Sequence, residues 1–112
     1  MTPRLKSRLW VEATLRRCQI EGKFGAVVKA GADEAGAVFV AINHLNGTYE
    51  LLEPPPGPSH DEEGTRHFSK AFVTPVPWAE VQAHFDRRSK FDSDMWLVEI
   101  ETRLGLADLK VI

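Results

Sequence analysis

Ala37-Val38-Phe39-Val40-Ala41-Ile42 is an unbroken run of six apolar residues, with none of the polar alternation that a half-solvated strand shows. A strand of this kind needs cover on both faces, which places it at the centre of a sheet. The rest of the chain has to supply neighbours and cover for it.

The neighbours are readable from turn chemistry and alternation. Phe24 to Ala30 is small and β-branched, and the turn-rich Gly31-Ala32-Asp33-Glu34-Ala35-Gly36 behind it predicts a hairpin into the central strand. Asn46-Gly47 offers the two positive-φ residues of a type I′ turn, so Thr48-Tyr49-Glu50-Leu51-Leu52 is expected to return as a third strand. A fourth is expected over His67-Phe68-Ser69-Lys70-Ala71-Phe72-Val73, ended by Thr74-Pro75. In Met95 to Glu101, residues Trp96, Val98 and Ile100 alternate with Leu97, Glu99 and Glu101, the pattern of a fifth strand buried on one side. Residues 103 to 112 either add a short edge strand or stay loose.

Cover comes from two amphipathic segments. Leu5, Leu9, Ala13 and Ile20 share one side of a helical wheel with Trp10 at its edge, and Gly22 suits a C-terminal stop. This predicts a helix over about residues 8 to 21, with a strand as the alternative because Leu9, Val11, Ala13 and Leu15 also alternate with Trp10, Glu12 and Thr14. Pro77 fits a first helical position, and Trp78, Val81 and Phe85 recur at helical spacing through about Ser89. Between the third and fourth strands, residues 53 to 66 carry four prolines, two glycines and four acids, Glu53 among them. Such a composition forms neither helix nor ladder and predicts an exposed loop.

Length and composition agree with one ordinary domain over residues 1 to 112: 43% of residues are apolar and 27% charged. The order of elements lacks strict βαβ alternation, so the expected fold is α+β, a mainly antiparallel sheet of about five strands with two helices packed on it. Cys18 is the single cysteine, no apolar leader follows the basic start, and no run is long enough to span a bilayer. A cytoplasmic protein without a membrane role is expected. Net charge is −2 but unevenly spread, with residues 1 to 30 at +5 and residues 31 to 66 at −6. Opposed regions of this kind attract each other within a fold or a dimer, or steer a partner.

Several stretches together resemble a known bacterial family. They are Trp10-Val11 with Ala13 and Leu15-Arg16-Arg17-Cys18; Gly31 with Asp33 and Ala35-Gly36-Ala37; Asn43 with Leu45 and Gly47; and Phe91-Asp92 with Asp94, Trp96 and Val98-Glu99-Ile100-Glu101. The pattern is similar to domain of unknown function 1491. The resemblance spans nearly the whole chain and implies a small cytosolic bacterial protein, with no chemistry to carry over.

Motifs with defined mechanisms are missing: there is no phosphate-cradling Gly-rich loop, HExxH, CxxC, EF-hand loop or GxSxG elbow. His44, His60, His67 and His84 with Asp61, Glu62 or Asp86 have the right donors for zinc or iron but poor spacing, so no metal or other cofactor is expected. Glu99 and Glu101 share a strand face at about 6 to 7 Å, with Asp92 and Asp94 upstream. That arrangement serves a divalent cation in a small hydrolase, or is simply a solvated face. Arg16 and Arg17 end the first helix, where the dipole favours cations. They also suit an anion or nucleic acid, with Lys6, Arg8 and Lys23 widening the patch, although pI near 6.1 disfavours nucleic acid. Cys18 reads as a buried thiol unless the arginines lower its pKa. Trp10, Trp78 and Trp96 read as core, and an exposed aromatic cluster would instead mark an interface.

The balance of these features is against an enzyme. The leading expectation is a non-catalytic protein-binding or regulatory module, whose partner is a second copy covering an unpaired sheet edge or another protein. Its candidate binding residues are Arg16, Arg17, Asp92, Asp94, Trp96, Glu99 and Glu101. A metal-dependent hydrolase built on the carboxylates and an anion binder built on the arginine pair are the alternatives.

Overall fold

The computed structural model describes residues 5–103 and 105–112. In it the apolar run becomes β2 (Val38–Asn43), in which no residue from Val38 to Ile42 is more than 2% exposed. Its alternate side chains serve two cores. Val38, Val40 and Ile42 join Val11 and Cys18 of α1 (Ser7–Ile20) on one face. Phe39 and Ala41 join Val81 and Phe85 of α2 (Trp78–Ser89) on the other. One helix therefore covers each face of the sheet, the cover that an all-apolar strand requires.

The remaining strands are β1 (Gly25–Lys29), β3 (Tyr49–Glu53), β4 (His67–Lys70), β5 (Trp96–Glu101) and β6 (Lys110–Val111), and the sheet order is β1-β5-β2-β3-β4-β6. This corrects the expected sheet. It has six strands and is mixed: β5 runs parallel to β2 and antiparallel to β1, while β6 runs parallel to β4. The expected β1–β2 hairpin does not form, because β5 inserts between those two strands.

Residues 30–37 make that insertion feasible by wrapping over the start of β5. Ala32 N–H donates to Asp94 O at 2.9 Å, Trp96 N–H donates to Ala37 O at 2.7 Å, and Trp96 Nε1 donates to Ala32 O at 2.8 Å. Two glycines permit the close approach, since an added Cβ on either Gly31 or Gly36 would sit 2.2 Å from Asp94 O. The same loop caps α1. Ser7 N–H and Arg8 N–H donate to the carbonyls of Glu34 and Asp33, and Ser7 Oγ donates to Gly36 O. These backbone carbonyls satisfy helix-terminal donors in place of a side-chain cap.

Helix α1 confirms a helix over the N-terminal segment but turns a different face inward. Ser7, Val11, Thr14 and Cys18 are buried, whereas Leu5, Leu9 and Ile20 are exposed. Gly25 on β1 lets the Leu15 side chain lie against the strand: an added Cβ there would be 2.7 Å from Leu15 Cδ2. Gly22, at φ 78°, ends the helix as expected, with Lys23 N–H reaching back to Cys18 O at 2.8 Å in a Schellman arrangement.

Two further expectations are corrected. The β2–β3 connection is not a two-residue type I′ turn: positive φ falls on Leu45 and Gly47, His44 N–H donates to Thr48 O, and the Asn46 side chain accepts from Thr48 instead. Strand β5 is buried on both faces up to Val98, since Met95 and Leu97 pack with Phe85 beneath α2.

Residues 54–66 are exposed at Pro56, Gly57, Pro58, Glu62 and Glu63 but buried at Pro55 and Arg66. Asp61 anchors the segment: its Oδ1 accepts from the amides of Glu63 and Thr65, and Lys110 Nζ donates to its Oδ2 at 2.8 Å. The Lys110 hydrogen bond first, then the amide donors, hold the Asp61 carboxyl down at about 2. A depressed folded pKa contributes stability that is complete above the unfolded value near 4 and is lost as pH falls toward 2. Asp61→Asn keeps the acceptor for both amides and removes the charge. The expected result is that wild-type melting temperature falls relative to the variant's between pH 4 and pH 2, with the two profiles converging below that window, as read by thermal melts across pH.

Candidate protein-binding edge

Strand β1 closes one side of the sheet. Its inner side pairs with β5, and Glu101 N–H donating to Phe24 O fixes the parity of the ladder. In an antiparallel pair, alternate residues turn their backbone groups toward or away from the partner. The N–H and C=O of Gly25 and Val27 therefore point outward from the sheet. The side chains along this edge are apolar and open: Phe24 is 58% exposed, Val27 42% and Val28 44%. Val28 is the extra residue of a bulge between Val27 and Lys29. Lys29 itself is occupied, with Nζ donating to the carbonyls of Ser93 and Met95 at 3.0 Å each.

Above the edge lies a groove between α1 and β1, floored by Leu15 and Gly25 and walled by Leu9, Arg16, Lys23 and Phe24. Glu12 also lines it. Arg16 makes no ion pair among the described residues, whereas Lys23 sits 3.3 Å from Glu21 and 3.8 Å from Asp108. The opposite face of the sheet has the other sign. Glu99 pairs in register with Ala26, accepts from Asn43 Nδ2 at 2.9 Å, and lies on the same face as Glu101. Burial, reinforced by these two carboxylates, pushes the Tyr49 phenol above its ordinary value. The open edge is thus flanked by cations on one face and by acids on the other.

The sequence-nominated residues do not form one site. Arg16 lines the groove, and Arg17 is exposed on the same helix. Asp92 and Asp94 lie exposed in the turn between α2 and β5, where Asp92 Oδ1 accepts from Asp94 N–H. Glu99 and Glu101 are toward the other end of β5, and at about 3.3 Å per residue Asp94 and Glu99 stand roughly 16 Å apart along the strand. Among the described residues, no three His, Cys, Asp or Glu side chains gather as a metal-holding group. Trp96 is 2% exposed and belongs to the core. Arg8 lies over its ring at 5.4 Å. Cys18 is buried too, and desolvation outweighs Arg17 and Lys23 and raises its pKa, opposite to what a nucleophile needs.

Sequence reading missed two polar clusters. Arg66, 8% exposed, lies over the Trp10 ring at 5.5 Å and donates to Ser7 Oγ at 3.5 Å beside a pocket of about 460 Å³ at the start of α1. His84 Nε2 and Arg88 Nη2 meet Glu53 Oε1 at 2.9 and 3.4 Å, tying α2 to β3. Neither has a local spacing that a sequence displays, because the partners come from segments brought together only by folding. An unpaired sheet edge is expected from the sequence, but which strand supplies it is not, because β1 reaches the margin only through the insertion of β5.

The comparisons with known proteins bear on the fold. A family model described as protein of unknown function (DUF1491) matches residues 5–109. Among solved structures, a protein from A. tumefaciens is 38% identical with a TM-score of 0.83, covering 98% of this chain and 96% of that one. The crystal structure of a DUF1491 family protein from Caulobacter crescentus CB15 is 30% identical with a TM-score of 0.76, covering 96% of this chain and 99% of that one. No curated protein matches the chain. No helix among the described residues is long and apolar enough to cross a membrane.

Proposed function

This chain belongs to the DUF1491 family of proteins of unknown function, and we propose that it is a non-catalytic module that binds another protein by extending its own sheet. The observation that carries this reading is the β1 edge, where outward backbone groups at Gly25 and Val27 lie beside the exposed Phe24, Val27 and Val28. Natural sheets blunt such edges with charge, proline or cover. Here the one inward-curling cation, Lys29, is spent on the Ser93 and Met95 carbonyls, leaving the edge competent for strand addition. The separation of Asp92 and Asp94 from Glu99 and Glu101 weighs against the hydrolase alternative. Cys18, as a lone buried thiol, suits the cytoplasm as the place of action.

Val27→Pro tests the reading. Because the Val27 N–H points outward, proline there removes an edge donor and leaves the β1–β5 ladder intact. Used as bait beside the wild type, the variant is expected to keep a dispersed amide spectrum and to lose, by about tenfold or more, any partner that wild type retains. Equal retention of every partner by both baits places the binding surface elsewhere.

A further inference from the structure

We infer that the segment taken by the β1 edge is an extended strand of a foreign protein whose side chains facing α1 are acidic, alternating with apolar residues on the other face, and not a second copy of this chain. The inference rests on β1 being the docking edge, and it identifies the occupant from charge.

A strand added beside β1 would continue the pleat, so its alternate side chains would face the α1 groove and the opposite face of the sheet. On the α1 side they would meet Arg16, which makes no ion pair among the described residues, and Lys23, whose partners Glu21 and Asp108 are themselves exposed. Among the described residues, Glu12 is the one acid lining the groove. Carboxylates of the incoming strand would have two cations within reach there. On the other face the same strand would meet the small Ala26, with Glu99 in register behind it and Glu101 on the same face. A small apolar neighbour flanked by carboxylates repels acids and accepts apolar residues. Opposite-charge neighbours across strands stabilise and like charges destabilise, so the two faces together specify both the composition and the facing of the added strand.

A second copy fits this poorly. Antiparallel β1–β1 pairing about a two-fold axis perpendicular to the sheet sets identical faces side by side. Arg16 and Lys23 would then confront their own counterparts, and the Glu99 and Glu101 pair would do the same beneath. Both faces would carry like charge.

The test titrates the ¹⁵N-labelled full chain at low ionic strength with two short capped peptides, one alternating Glu and Val and one alternating Lys and Val. The expected result is amide shifts centred on Gly25, Ala26 and Val27, about tenfold tighter binding of the Glu/Val peptide, and loss of that preference in the double variant Arg16→Glu with Lys23→Gln, whose unchanged amide dispersion certifies its fold. Equal or tighter binding of the Lys/Val peptide at β1 overturns the charge assignment while leaving the edge as the docking site. Shifts absent from β1 with either peptide overturn the inference and the edge together. Sedimentation showing that the chain alone dimerises, with Val27→Pro restoring the monomer, overturns the foreign strand in favour of a second copy.

Discussion

Gly36→Ala is expected to destabilise the chain by about 3 kcal/mol, lowering its melting temperature by on the order of 10 to 15 °C. The added methyl would sit 2.2 Å from Asp94 O and 3.0 Å from the backbone of Ala32, and none of these is the flexible end of a side chain that can step aside. Gly31→Ala is expected to behave alike, since its Cβ would meet Asp94 O at 2.2 Å and Met95 C at 2.7 Å. Either change pushes residues 30–37 off the start of β5 and loosens the carbonyls that cap α1. Asp94→Ala supplies the contrast. The Asp94 side chain is exposed and the backbone makes the contact, so this variant should stay within about 0.5 kcal/mol of wild type. Thermal melts of the three variants read the difference directly. A large loss in Asp94→Ala, with little in the glycine variants, would mean that the carboxylate matters and the close approach does not.

Trp96→Ala is expected to cost about 3 to 5 kcal/mol, the range for removing a large buried ring. Trp96 is 2% exposed, packs in the core beneath α1, and fixes the wrapping loop through its bond to Ala32 O. Trp96→Phe keeps most of the ring and gives up that bond, leaving the Ala32 carbonyl short of a donor, for a smaller loss of about 1 to 2 kcal/mol. Denaturant unfolding should order the proteins wild type, Phe, Ala. Were Trp96 a binding residue, the variants would unfold alike and differ only in partner affinity.

Four elements show where sequence reading succeeds and stops. The run from Val38 to Ile42 announces a central strand because burial on both faces leaves a local mark, and the periodicity over Trp78 to Ser89 announces α2 for the same reason. The Gly31 to Gly36 stretch looks like a hairpin turn because glycine and acidic residues signal a reversal without saying how wide it is. Here the reversal is wide enough to admit β5, a strand some sixty residues further on, and no local pattern encodes that distance. Helix α1 misleads differently. Leu9 and Ile20, with Leu5 just before the helix, are exposed, while Val11, Thr14 and Cys18 are buried and Trp10 and Leu15 pack against the core, so the inward face is one that apolar spacing alone does not mark.

For the candidate site, the sequence shows Arg16 and Arg17 as a cation pair near the end of the first helix, and Glu99 with Glu101 as a shared strand face; only the structure shows that Arg16 lines the groove. What joins them is the strand between, β1, whose place at the margin of the sheet follows from the insertion of β5. The acids at 92 and 94 looked like partners for those at 99 and 101 because they are near in sequence. An extended strand carries them apart.

Amide hydrogen exchange across β1, compared between the free chain and the chain holding a partner recovered with wild type and lost with Val27→Pro, tests the central claim most directly. Free, the Gly25 and Val27 amides should exchange much faster than that of Ala26, which faces β5. Bound, those two should slow to match it. Fast exchange at Gly25 and Val27 in the bound state, with new protection falling instead around residues 53 to 66 or the pocket beside Arg66, would contradict sheet extension at β1.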